Sequence, residues 1–301
     1  MTVTLASSSP AARLALAVVT QPVRAPNPFM AAPSGAREDA IRHLLQTAAD
    51  AGVSRVATRP TGDDERLLGQ AWPFPSPFQV SISTLPLSEG ADRIEARARR
   101  SLERLGLPRG DVLLVSSASD LAGAEGRALW DRLSALKDRG LFRRIGLCAT
   151  IEDAPVLLAR RLQPDLIQIP CNLLDQRATQ TGVLAALADQ GVAVHVSSVF
   201  ARGLLFAGAE AGPEHSLALS RVRRRLAEAR LDPMQAALAF ALSLPVEAVV
   251  ASVASSAELR AVLAAAHAPA PTLDWSAFAM AEPAARSLQT AIAEAAISSA
   301  A

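Results

Sequence analysis

A closed (β/α)8 barrel of the TIM type, in the α/β class, is the fold this sequence predicts, and three observations predict it. Short apolar, β-branched runs recur eight times along the chain, amphipathic stretches separate them, and glycines follow the helical stretches. Strands alternating with helices over about 250 residues indicate a parallel sheet, and closure into a barrel is its natural solution. A doubly wound open sheet is the rival arrangement of the same pattern.

The strand runs are "LALAVV" (14–19), "SRVAT" (54–58), "FQVSIST" (78–84), "DVLLVS" (111–116), "RRIGLCA" (143–149), "LIQIP" (166–170), "VAVHVSS" (192–198) and "EAVVASV" (247–253). Several are apolar nearly throughout, as strands buried on both faces should be. Between them lie helical patterns. In 93–105, Ile94, Ala98, Leu102 and Leu105 share one face, with Arg93, Arg97, Arg100 and Arg104 turned toward water. In 127–139, Leu129, Leu133 and Leu136 form the stripe, flanked by Asp131, Arg132, Asp138 and Arg139. Gly52, Gly106, Gly140 and Gly191 stand where a left-handed residue closes a helix. Two connections are long, the Pro-rich 20–36 after the first strand and 201–217 after the seventh. Both leave C-terminal strand ends, where barrel sites are built.

Composition narrows the function classes. The 301 residues are half hydrophobic with a net charge of +1. That balance gives no electrostatic case for nucleic acid or an anionic membrane. No apolar run approaches the roughly 20 residues of a membrane span, and the N-terminal stretch lacks the features of a signal peptide. A cytoplasmic protein is expected. No linker-like segment divides the chain, so one domain over 1–301 is expected, with a peripheral tail from about 284. Two cysteines make neither a disulfide framework nor a closed metal site. There is one lysine, Lys137, and no tyrosine.

The local sequences, taken in order, resemble the aldo-keto reductase superfamily. "GVSRVATRP" followed by "GDDERLLG" is similar to its glycine–strand–"DTAxxYG"–"E..LG" segment. "SLERLGLPRGDVLLV" resembles "SLxRLGxDxxDLLLxH", and "LWDRLSALKDRGLFRRIGL" resembles "LxxLxxxGxxRxIGxS". "PDLIQIPCNLLDQ" resembles "xDxxQxxYNxxD"; "FARGLL" and "VASSAELRAVL" match the later loop and the last strand–helix unit. The resemblance covers nearly the whole chain. It implies a (β/α)8 barrel, a nicotinamide cofactor, usually NADPH, and carbonyl reduction by a tetrad. Hydride attack creates an alkoxide that needs a proton near neutral pH. A tyrosine with a pKa near 10 gives one when a lysine, held by an aspartate, lowers that pKa, while a histidine orients the carbonyl.

On this sequence the aspartate position reads Ala57, the tyrosine falls at or beside Thr61, the lysine position reads Leu85 and the histidine position Ser116. All four tetrad types are absent, and Lys137 belongs to an outer helix. The resemblance carries over part of a cofactor site. Gln168 matches the glutamine that holds the nicotinamide carboxamide, and Asn172 follows it. The strand-five "SN" pair reads Cys148-Ala149, and the stacking aromatic reads Ser197, with Phe200 three residues on. At the adenosine-phosphate end, Ser252 leads into Ser255 and Glu258, which have capping-box spacing, and into Arg260. Arg59, Ser83, Ser116, Ser117 and Arg202 gather at the same mouth, suited to an anion but without a nucleophile–base pair. His195 alternates onto the interior face with Ser197. Cys148 and Cys171 end neighbouring strands and are expected close together, unbridged.

Three readings follow. The first is an aldo-keto reductase-like pseudoenzyme that binds NADP or another small ligand. The second is an active NAD(P)H-dependent oxidoreductase with a rebuilt site, using His195 or an acid on the substrate. The third is a structural barrel subunit that meets a protein partner or another copy of itself.

Overall fold

The computed structural model describes residues 9–19, 34–60, 62–73, 75–206 and 213–280. Thr61, most of the Pro-rich 20–36 connection, the centre of 201–217 and the tail from 281 lie outside the described residues. Eight parallel strands close in chain order, with β1 paired to β8. They are β1 (Leu14–Val18), β2 (Arg55–Thr58), β3 (Gln79–Ser83), β4 (Gly110–Val115), β5 (Phe142–Cys148), β6 (Leu166–Pro170), β7 (Ala193–Ser197) and β8 (Ala248–Val253). Each falls within a residue of its expected run. Closure settles the barrel against the open-sheet alternative.

The helices that return the chain are α1 (Ser34–Asp50), α2 (Asp64–Ala71), α3 (Ala91–Leu105), α4 (Gly123–Asp138), α5 (Pro155–Leu162), α6 (Arg177–Gln180), α7 (Val183–Asp189), α8 (Pro213–Glu228), α9 (Pro233–Ser243) and α10 (Ser256–His267). Gly52, Gly106, Gly140 and Gly191 have φ of 82, 64, 76 and 73°, as helix closure requires. Among the described residues, no helix is long and apolar enough to cross a membrane.

The strands sort their side chains between the two sides of the wall. Outward residues such as Leu16, Val56, Ile82, Leu113, Ile145, Ile167, Val196 and Val249 are buried in the main core beneath the helices. Inward residues on one side of the barrel are small: Ala15, Ala17, Ala57, Ala248 and Val250 pack together. On the other side Val112, Leu114, Leu166, Cys148 and Ala193 fill the interior. Gly146 sits among these because a Cβ there would lie 2.3 Å from the Leu166 carbonyl oxygen and 3.0 Å from Leu114 Cδ2.

α3 departs from its expected pattern. Arg97 and Arg104 do not simply face water. They neutralise Glu65, which is fully buried at the side of α2: Arg97 Nη2 lies 2.5 Å and Arg104 Nε 3.6 Å from its Oε2. A helical-face argument from one helix cannot register an acid buried on its neighbour.

An ion network closes the N-terminal end of the barrel. Glu247, just before β8, accepts two bonds from Arg144 Nη1 at 3.0 Å, and Arg55 Nη2 lies 3.7 Å away. Arg144 also donates to Asp111 at 2.7 Å. His195 Nε2 is 3.1 Å from Glu247 Oε1. An ionised carboxylate only accepts, so Nε2 carries the proton. The His195 hydrogen bond and the Arg144 charge outweigh burial and hold the Glu247 carboxyl down at about 2. The stabilisation is therefore complete above the usual value of 4.5 and drains away as the pH falls toward 2. Glu247→Gln should lower stability at neutral pH by about 2 kcal/mol, below the value for a fully buried pair because Asp111 still serves Arg144. It should also flatten the loss between pH 4.5 and 2. Urea titrations of both proteins across that range check it.

Candidate functional site

The C-terminal ends of the strands bring the sequence-selected residues to one opening. Ala57 is the third of four residues in β2 and packs half-buried among the interior alanines. Leu85 lies two residues past β3, half-buried against the main core. Ser116 lies one residue past β4 and is exposed, its amide donating to Thr84 Oγ1 at 3.2 Å. None of these three side chains supplies an ionisable group.

Gln168 is half-exposed in β6, in register with Cys148 on one side and His195 on the other. Its Nε2 lies 3.7 Å from Cys148 Sγ. Asn172 is buried, and its Oδ1 accepts the amides of Leu174 and Asp175, each at 3.0 Å. The carboxamide oxygen is thus committed to closing the turn after β6. Ser197 ends β7 on the interior phase. The loop beyond it is strained: Ser198, Ala201 and Arg202 have φ of 58, 48 and 54°, followed by Gly203 at 87°. Non-glycine residues in this region cluster at binding and switch sites. In that loop Phe200 packs against Phe206 with centroids 5.6 Å apart, and Arg202 is exposed.

At the last strand–helix unit, Ser252 is exposed in β8. Ser255 caps α10, its Oγ accepting from the Glu258 amide at 3.1 Å. Glu258 Oε2 accepts from the Ala254 amide at 2.7 Å. The capping spacing is realised, with the carboxylate bonded one residue before the cap. A negative group already sits at this helix start. Arg260 is exposed one turn on.

His195 faces the interior as expected, and its one side-chain partner among the described residues is Glu247 at the floor, away from the mouth. One expectation is corrected. Cys148 and Cys171 end adjacent strands on opposite sides of the wall. Cys148 belongs to the interior cluster, whereas Cys171 is buried in the outer core with Thr179 Oγ1 at 3.7 Å. Strand alternation explains it: Cys171 follows Ile169 in outward phase. The floor acids Asp111 and Glu247 carried no motif that distinguishes them in sequence. Thr150 and Asp153 did: their capping spacing is used, Asp153 Oδ2 accepting the Thr150 amide at 2.7 Å after β5. Among the described residues, no group of three or more His, Cys, Asp or Glu is placed to hold a metal ion.

Ser116, Gln168, Ser197 and Ser252 lie at or just past the C-terminal strand ends, the face on which closed barrels of this kind build their sites. Residues 82–282 match the model of the aldo/keto reductase family, and the chain belongs to that family. The family generally binds NADP(H). Solved structures share the fold. An aldo-keto reductase from Bacillus halodurans in its holo form is 17% identical, with TM-score 0.66 over 92% of this chain and 91% of that one. A putative aldo-keto reductase from Pseudomonas aeruginosa is 22% identical, with TM-score 0.57 over 76% and 83%. An aldose reductase from Giardia lamblia is 13% identical, with TM-score 0.63 over 82% and 88%. No curated protein matches the chain.

Burial pushes both thiols up to about 11, the Arg59 charge partly opposing it at Cys148 and the Thr179 hydrogen bond at Cys171. A disulfide-exchange reagent should therefore find two thiols in denaturant and react only slowly with the native protein at pH 7.5, since the thiolate is the nucleophile. Fast native labelling of either cysteine would contradict these surroundings.

Proposed function

We propose that this aldo/keto reductase-family barrel binds a nicotinamide dinucleotide or a related small ligand at its mouth and has lost the family's carbonyl-reducing acid–base machinery. The observation that carries the reading is the mouth itself. By the family resemblance Ala57, Leu85 and Ser116 stand at three tetrad positions, in or just after three consecutive strands, and no tyrosine exists anywhere in the sequence. The single lysine is held elsewhere, its Nζ 2.6 Å from both carboxylate oxygens of Asp165.

The residues present fit a dinucleotide in part. Gln168 offers a carboxamide to the nicotinamide end, and Arg202 and Arg260 offer exposed cations with no ion pair among the described residues. Glu258 opposes a phosphate at the start of α10. When bound, the reduced cofactor supplies a hydride. What the chain withholds is the proton. A positioned acid is worth about 10²–10⁴-fold, and serine or threonine hydroxyls cannot replace it without a neighbouring cation to lower their pKa. His195 does not serve either, being tied to Glu247.

Purified protein should therefore bind NADPH, followed by fluorescence of Trp72, Trp130 and Trp275, without turning over aldehydes, ketones or aldoses at the usual enzyme scale of about 1 s⁻¹. Turnover at that scale would mean a rebuilt site, and failure to bind any nucleotide would favour a structural subunit. Glu258→Gln should tighten NADPH binding about threefold to tenfold by removing like charge from the phosphate end. An unchanged affinity would place the phosphates elsewhere.

A further inference from the structure

The strand that lost the tetrad aspartate carries a cation two residues later. We propose that Arg59 makes the barrel mouth a binding site for a small oxyanion, the carboxylate or phosphate group of a free metabolite distinct from the dinucleotide.

Alternation along β2 sets its place. Arg55 reaches Glu247 at the floor and Ala57 packs in the interior. Arg59 is next in the same phase, at the C-terminal opening, and it is exposed. Its charge partly opposes the rise that burial imposes on the Cys148 thiol of β5.

Five carboxylates of the C-terminal loops are engaged by other groups. Asp63 meets Arg66 and Arg104, and Glu89 meets Arg93. Glu152 and Asp175 both meet Arg177, and Asp153 bonds Thr150. Asp120 Oδ2 has no partner, yet it forms no ion pair with Arg59. Among the described residues the Arg59 guanidinium has neither an ion pair nor a hydrogen-bond partner, whereas Arg55, two residues earlier in the same phase, is paired.

The neighbouring inward ends supply neutral donors. Ser83 ends β3, and Ser116 follows β4. An arginine side chain with no ion pair, at the strand ends where Ser83 and Ser116 share its phase, is suited to a planar carboxylate or a phosphate, which a guanidinium grips with two parallel N–H bonds. Arginine stays charged at every working pH, so this group binds and does not donate a proton to a substrate. The proposal rests on the reading that the mouth takes small molecules, and its failure is separable from that of cofactor binding.

Isothermal titration of the full chain with inorganic phosphate and, separately, with succinate tests it, with NADPH titrated in parallel. Wild type should bind at least one anion saturably, and the preferred probe distinguishes phosphate from carboxylate. Arg59→Gln should weaken that binding tenfold or more, the scale of a charge-assisted contact, while Arg59→Lys should keep part of it. Succinamide, uncharged, should not bind. Circular dichroism should show both variants folded, since the side chain is exposed. Anion binding by Arg59→Gln within twofold of wild type overturns the proposal. So does wild type binding neither anion, or Arg59→Gln losing NADPH in parallel without any free-anion binding. If NADPH fails to bind wild type and the anion still does, the cofactor reading falls and the Arg59 site stands.

Discussion

Every residue in the wall of a closed parallel barrel is assigned to one of two sides, and this constraint shapes the molecule. Side chains alternate, so one phase fills the interior and the other meets the helices. In this chain the two phases differ in bulk on one side only. Around β1, β2 and β8 the inward phase holds Ala15, Ala17, Ala57 and Ala248, while around β4 and β6 it holds Val112, Leu114 and Leu166. A one-residue slip in β1 or β2 would drive Leu16 or Val56 into an alanine-lined interior and put alanines under the helices. On that side the fold is held in register by volume before any polar contact is counted.

Polar chemistry is then distributed along the barrel axis. At the N-terminal end, inward ionisable groups are linked: Arg55, Asp111, Arg144, His195 and Glu247 connect β2, β4, β5 and β7 with the entry to β8. Pairing of this kind is what makes charge tolerable in a partly buried place. At the C-terminal end the inward phase is nearly uncharged, and the cation it does present stands apart from the local ion pairs. Ion pairing is concentrated at one end, and the proposed recognition falls to the other.

How much of this was legible beforehand depends on the distance over which each feature is determined. Strand positions were read to within a residue because period and β-branching are local. The closing glycines were read because a left-handed residue is a local demand. Ala57, Leu85 and Ser116 are singled out through the family resemblance, whose motifs lie along the chain in order. What escaped depends on pairs brought together by closure. Glu247 is 52 residues from His195 and 103 from Arg144, and nothing near it in sequence announces either. The buried Glu65 turned two arginines of α3 inward from a different helix. The cysteines were misjudged for a simpler reason: neighbouring strand ends were treated as neighbouring side chains, and the phase that separates Cys148 from Cys171 was overlooked.

The lone lysine has a practical meaning. Lys137 leans from α4 onto Asp165, whose Oδ2 also accepts the Ile145 amide at 2.8 Å where β5 begins to pair with β6. It is the only side-chain amine in the sequence. Acylating reagents, which on most surfaces report an average over many side chains, here meet one lysine, at a joint between a helix and the wall, besides the chain's α-amine. Removing that single positive charge leaves Asp165 to hold the strand amide alone, so labelling yield becomes a measure of how firmly the outer layer is fastened at one point.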